Sequence, residues 1–254
     1  MRLADLRLAV RPRSPWEAMD LGVRLVQDEA GLVWRTWFTV TLPVLLGVLA
    51  LTLWWGEQPW YLLLWWLKPL FDVALLLVLS RRVFGDRLGP GATLRLLAGS
   101  LRQGLAGHLL WRRFSMSRSY LLPVWLLENL PASERSARLA LLRHRYTGRA
   151  RWLQIALLHV EGLLCLTCLS LLFWFVPDSV VPDLWELFTT GSDTPLVQAS
   201  ILLAYYAAMS VVEPFYVAAG FTLYLNRRTE LEAWDLELAF RHLRERLLDG
   251  RGLS

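Results

Sequence analysis

The chain reads as an all-α integral membrane protein with four transmembrane helices and several amphipathic cytoplasmic or interfacial helices. Three observations predict that class. Of the 254 residues, 55% are hydrophobic, and the mean hydropathy is +0.37. Soluble domains sit near roughly 45–50% apolar, so the excess needs a second apolar solvent. Four stretches, 37–55, 60–80, 152–176 and 196–225, reach the roughly 20 apolar residues that cross a hydrocarbon core about 30 Å thick. Trp37, Trp54, Trp55, Trp60 and Trp152 mark their ends, as membrane-interface belts do. The whole chain, 1–254, is read as one membrane domain.

The charge distribution predicts the orientation. A net charge of +5 and a pI near 9.6 suit nucleic acid in principle. Of the 27 Lys and Arg, however, six lie in 1–35, eight in 81–119, six in 131–151 and six in 226–254; the last is Lys68, inside a span. The connections 56–59 and 177–194 carry only Glu57, Asp178, Asp183, Glu186 and Asp193. This positive-inside pattern puts both termini and the central region in the cytoplasm. The basic flanks then face anionic lipid head groups, and nucleic acid is not expected as a partner. The first 35 residues have no separate apolar core of a cleavable signal peptide.

Taken in order, Ser14-Pro15-Trp16-Glu17 starts a helix: a Ser cap, Pro at the first position, Glu three residues after the cap. Trp16, Met19, Val23, Val26, Ala30, Val33 and Trp37 then form one apolar stripe, opposite Asp20, Arg24 and Asp28. This predicts a helix over 15–35 lying on the cytoplasmic membrane surface and feeding the first span. After the second span, Gly89-Pro90-Gly91 breaks the chain. Leu94, Leu97, Leu101 and Leu105 mark an interfacial helix over 93–111. Crossing the membrane there would put Arg102 near the bilayer centre, at about 2.5–3.5 kcal/mol. It would also strand Arg112, Arg113 and Arg118 on the far side.

The apolar run 120–130 is half a span long and holds Pro123 and Glu128, which predicts a re-entrant or surface-lying element. A basic helix over 133–147 is expected to be capped by Ser133 and stopped at Gly148. Beyond the fourth span, Thr229 and Glu232 repeat the capping-box pattern and open a helix over 229–249. Lys68-Pro69 precedes Arg81-Arg82 by 13 residues, and Glu213-Pro214 precedes Arg227-Arg228 by 14. Both pairs lie on outside-to-inside spans, so a parallel two-plus-two repeat is one arrangement that accounts for them.

Chemistry concentrates in the middle of the spans. At about 1.5 Å per residue, Lys68 and Glu213 both sit about 20 Å above the Arg pairs that end their spans. Asp72 lies one turn below Lys68, and His159 and Glu161 come close to its level. Ionisable groups at such depth are costly and should face inward and pair. Two readings stand side by side: an ion-pair network of Lys68 with Glu213 or Asp72, and a proton relay with Glu213 as the titrating group. Pro214 adds a helix break that leaves the Ser210 carbonyl without its partner.

Cys165 and Cys168 form C-x-x-C, the spacing of thiol redox centres or of two small packing residues. The His-Val-Glu at 159–161 lacks the second His of a zinc helix, and no phosphate-binding glycine loop is present. No metal, cofactor or catalytic residue is predicted.

The segments RRFSMSRSYLLPVWLLENL, ARLALLRHRYTGRARW and EPFYVAAGFTLYLNRRTELEAWDLELAF resemble a group of uncharacterised bacterial multi-pass inner-membrane proteins. That group is distantly similar to the membrane domain beside glycerophosphodiester phosphodiesterases, including a P-x-x-x-L-E element, here Pro123 to Glu128. The resemblance implies a bacterial inner-membrane module with no assigned reaction, and a role in envelope assembly. The phosphodiesterase site belongs to a separate soluble domain and does not carry over.

Together these features predict a non-catalytic membrane scaffold or assembly partner in the cell envelope, with a membrane or envelope protein or a second copy as partner. A small permease or proton-coupled component using Glu213 is the alternative, and a membrane thiol redox protein the third. Trp16, Trp234 and Arg241 on the terminal helices are candidate anchors for a partner.

Overall fold

The computed structural model describes residues 11–55, 60–86, 88–102, 112–128, 130–175 and 195–233. Among them are seven α-helices and no strand: α1 Pro15–Asp28, α2 Ala30–Trp54, α3 Tyr61–Val83, α4 Pro90–Arg102, α5 Arg118–Leu127, α6 Ala132–Phe175 and α7 Pro195–Glu232. A 3₁₀ turn, Arg112–Phe114, precedes α5. Four of these helices, α2, α3, α6 and α7, are long and apolar enough to cross a membrane. The all-α class and the four apolar helices are as the sequence predicts.

Helix α1 begins as expected, with the Ser14 hydroxyl accepting from the Glu17 N–H at 3.2 Å and Pro15 in the first turn. It does not run to 35. Glu29 leaves helical geometry and α2 restarts at Ala30; the Glu29 carboxylate at this break pairs with Arg82 at the end of α3. Nor does the apolar face of α1 rest on lipid. Ala18, Met19, Gly22, Leu25 and Val26 are buried, and α1 lies across α7. The crossing point is Gly22, where an added Cβ would sit 2.6 Å from the Ala219 backbone. Only glycine lets the two helices approach this closely.

Helix α7 is the hub, touching α1, α2, α3, α5 and α6. Helix α2 runs antiparallel to it: Trp34 packs on Phe215, the Trp37 indole donates to Ser210 Oγ at 2.9 Å, and Thr41 meets the Tyr206 hydroxyl at 2.9 Å. On its other side α7 receives α5 at Gly220, where a Cβ would meet Ser119 Oγ at 2.2 Å. Helix α5 runs parallel to both α3 and α7. Its first residue, Arg118, meets Asp72 and Glu213, whereas Leu126 and Leu127 share a cavity with Leu77 and Ser80, and Glu128 meets Tyr224. The parallel course of α3 and α7 is the one a two-plus-two arrangement would give. The end that carries Arg81, Arg82, Arg227 and Arg228 is called the basic end below.

Three predicted helix boundaries, the caps at Ser133 and Thr229 and the stop at Gly148, are not used. Helix α6 passes through both Ser133 and Gly148 as one element of 44 residues. A glycine inside a helix costs only about 1 kcal/mol, and here Tyr146 and Ala150 on either side of it are buried. At the end of the fourth apolar helix, Thr229 donates to the Leu225 carbonyl at 3.0 Å instead of capping a new helix. Helix α7 continues to Glu232, whose carboxylate holds both Arg228 at 2.7 Å and Arg138. The left-handed Ala233, φ 51°, then ends it. The rest of the predicted 229–249 helix, with Trp234 and Arg241, and the 103–111 part of the predicted 93–111 helix lie outside the described residues.

Candidate functional site

The site begins with a proline. Pro69 has no N–H, so the Trp65 carbonyl one turn earlier in α3 loses its helical donor. Arg113 replaces it: its Nη2 donates to the Trp65 carbonyl and its Nη1 to the Trp66 carbonyl, both at 3.1 Å. The guanidinium lies 3.7 and 4.0 Å from the two indole ring centres. Arg113 is thus anchored within about two turns of the end of α3 opposite the basic end. From there the chain turns back at Ser115–Ser117 and α5 descends toward the basic end. Residues 112–127 thus lie against α3 and α7, beginning beside Trp65 and Trp66 and ending beside Leu77 and Ser80.

This geometry overturns the expected surface placement of Arg113 and Arg118. Arg118 is 10% exposed at its side chain and its Nε stands 2.7 Å from Asp72 Oδ2. Its Nη2 donates to Glu213 Oε1 at 3.1 Å. Carbonyls freed by a proline and buried carboxylates supply partners for these cations that lipid does not.

Around Arg118 the structure assembles five buried ionisable side chains. Lys68 Nζ donates to both oxygens of Glu161, at 2.9 and 2.8 Å, and lies 2.7 Å from Glu213 Oε2. The side chains of Lys68, Glu161, Glu213 and Asp72 are 9, 6, 2 and 0% exposed. Tyr205 packs beside Lys68, its ring centre 6.0 Å from Nζ. Glu213 therefore bridges both cations, one through each oxygen. Of the predicted pairs, Lys68 with Glu213 is formed and Lys68 with Asp72 is not. Asp72 is one helical turn further along and is turned toward Arg118.

His159, grouped with these residues on the sequence, is on the other side of α6. It is exposed, and its Nδ1 sits 2.7 Å from the Ile155 carbonyl of its own helix. Two residues along a helix is a rotation of about 200°, so His159 and Glu161 cannot share a face. Pro214 is buried within a continuous α7, and Ser210 there takes the Trp37 indole on its hydroxyl.

A second polar layer ties the basic end. Glu128, at the end of α5, accepts from Arg138 Nε at 2.9 and 3.1 Å and from the Tyr224 hydroxyl at 2.6 Å. Pro123 is buried in the middle of α5. Asn226 accepts from the Arg13 N–H and donates to the Arg13 carbonyl, both at 2.9 Å, fastening the entry to α1. Trp16 is 54% exposed, with Arg149 over its ring at 5.5 Å. Cys165 and Cys168 are free thiols one turn apart on α6. Among the described residues no group of three or more His, Cys, Asp or Glu is arranged for a metal ion.

No family model, curated protein or solved structure matches this chain. The chemical character of the site rests on its own residues. It holds three carboxylates against two directly bonded cations, and nothing in it resembles an activated nucleophile. Such a cluster can lock helices and can hold a proton.

Proposed function

We propose that the protein is a non-catalytic scaffold of the bacterial inner membrane, with both termini in the cytoplasm, that assembles with another membrane protein through the outer flank of α6. The observation that carries this reading is the position of His159. It faces away from the bundle at the level of the buried Lys68–Glu161 pair, on a flank where Gly162, Thr167 and Ser170 are also exposed. Only 11% of the apolar stretch of α6 is buried, against 67% for α3 and α7. Lipid would cover Leu163 and Leu166 without cost. An imidazole among small and hydroxyl residues is instead the composition of a helix–helix contact, where close approach and interhelical hydrogen bonds replace the hydrophobic drive.

Gly162 supplies the test. A Cβ there meets nothing within 4 Å, so Gly162→Leu leaves the monomer's packing intact while filling the contact surface. A photo-crosslinking residue at Leu163 in native membranes is expected to capture one membrane protein, and Gly162→Leu to abolish that capture at unchanged expression and insertion. Crosslinks to lipid alone, the same in the wild type and in Gly162→Leu, would refute the reading. Crosslinks to a second copy would move it to self-assembly.

A further inference from the structure

We propose that Asp72 and Glu213 form a proton-binding site, in which one carboxylic acid and one carboxylate share a single proton on one edge of the Arg118 guanidinium. This goes beyond the scaffold reading and does not depend on it.

The geometry begins with which nitrogens the two carboxyl groups approach. Nε and Nη2 point along the same edge of a guanidinium, the edge that normally receives both oxygens of a single carboxylate. Here Asp72 Oδ2 stands 2.7 Å from Nε and Glu213 Oε1 3.1 Å from Nη2. Two carboxyl groups from different helices thus stand side by side against adjacent nitrogens of one guanidinium. Like charges this close in a water-poor site do not both ionise; one proton bridges them.

Asp72 supplies the second observation. It is completely buried, yet neither of its oxygens receives a hydrogen bond, and the close Arg118 Nε–H is directed off the oxygen it approaches. A carboxylate in that condition is costly. A protonated Asp72 resolves it by donating its O–H to Glu213, which then accepts from Asp72, Lys68 and Arg118 together. The charges in direct contact are then balanced: Lys68 and Arg118 against Glu161 and Glu213. The remaining groups facing the pair do not supply the missing charge. Tyr205 and Tyr216 are neutral phenols, and Arg113, hydrogen-bonded to the Trp65 and Trp66 carbonyls, makes no ion pair with Asp72 or Glu213. Protonation and release move one proton and break no other bond.

Infrared spectroscopy of the full chain in lipid nanodiscs tests the site directly, by the C=O stretching band of a buried carboxylic acid. At neutral pH the wild type is expected to show this band, shifted in D₂O and lost as pH rises. Asp72→Asn, which places an amide donor where the acid donor stood, is expected to fold and to lack the band. Glu161→Gln, outside the pair, is expected to keep it. A wild type without the band at any pH at which it stays folded would overturn the proposal. So would a band that survives in Asp72→Asn, and so would one removed at neutral pH by sodium chloride but not choline chloride, which would make the occupant a metal cation. The wild-type titration and the salt comparison decide the matter even where a variant does not fold.

Discussion

Lys68→Met is the most informative perturbation of the ion cluster. Lys68 holds two carboxylates, but they depend on it unequally. Glu213 keeps Arg118 when Lys68 is lost. Glu161 loses both of its hydrogen bonds to Lys68 Nζ, at 2.8 and 2.9 Å, and remains 6% exposed. Removing one partner of a buried pair costs about 3–5 kcal/mol, because the other charge is left buried and uncompensated. Replacing both partners removes that penalty. Lys68→Met combined with Glu161→Gln should therefore regain most of the loss, with a coupling of about 2–3 kcal/mol between the two changes. Pairing Lys68→Met with Glu213→Gln instead should regain little, since Glu161 is stranded as before. The measurement is reversible unfolding in mixed micelles of rising SDS content, followed by tryptophan fluorescence. If the Lys68–Glu161 double mutant loses as much as the two single mutants added together, the bidentate pair is not what holds α6 to α3, and the reasoning fails.

Other expectations follow from single contacts. Gly22→Ala and Gly220→Ala should each cost about 1–3 kcal/mol by overpacking, since the added Cβ atoms would meet the Ala219 backbone at 2.6 Å and Ser119 at 2.2–2.6 Å; Gly148→Ala, where a Cβ meets open space, should be neutral or stabilising in the same unfolding assay. Arg113→Lys should be destabilising by about 1–3 kcal/mol despite keeping the charge, because an ammonium cannot serve two carbonyls and lie flat on two indoles; thermal denaturation compared with Arg113→Ala measures it. A cysteine at the buried Ser117 should resist impermeant maleimide both in spheroplasts and after lysis, whereas one at the open Gly148 should react after lysis only. Reaction of the Ser117 position from either side would refute the inward placement of Arg118.

What was readable from residue order follows a physical line. The four apolar helices were legible because length and hydropathy suffice for them, and Lys68 with Glu213 because equal distances from terminal Arg pairs fix equal depth. Arg118 was not legible. A charge count assigns a side of the membrane but no depth, and an arginine flanking a short apolar run looks the same whether that run lies on the surface or enters the bilayer. The available signal was the run itself: a helix half a span long that packs beside full spans can begin level with their middle, and Arg118 is its first residue. The docking of α1 was obscured in the same way. Its apolar stripe suits lipid as well as protein, and only Gly22, a gap in side-chain bulk on that stripe, hints at a backbone approaching from outside. Depth along the sequence groups His159 with Glu161, and rotation about the helix separates them.

The unbroken course of α6 has a mechanical consequence. At 1.5 Å per residue its 44 residues extend about 66 Å, roughly twice the hydrocarbon thickness. One half is clasped at the basic end by Tyr120, Glu128 and Glu230. The other half is gripped by Lys68 at Glu161, near its middle. A rod held at one end and pinned about two-thirds of the way along transmits angle as well as force. Any companion that pulls the outer flank sideways must either bend the helix or strain the clasp at its far end. The length that makes α6 look like a mere anchor thus turns it into a lever, with Glu161 as its pivot.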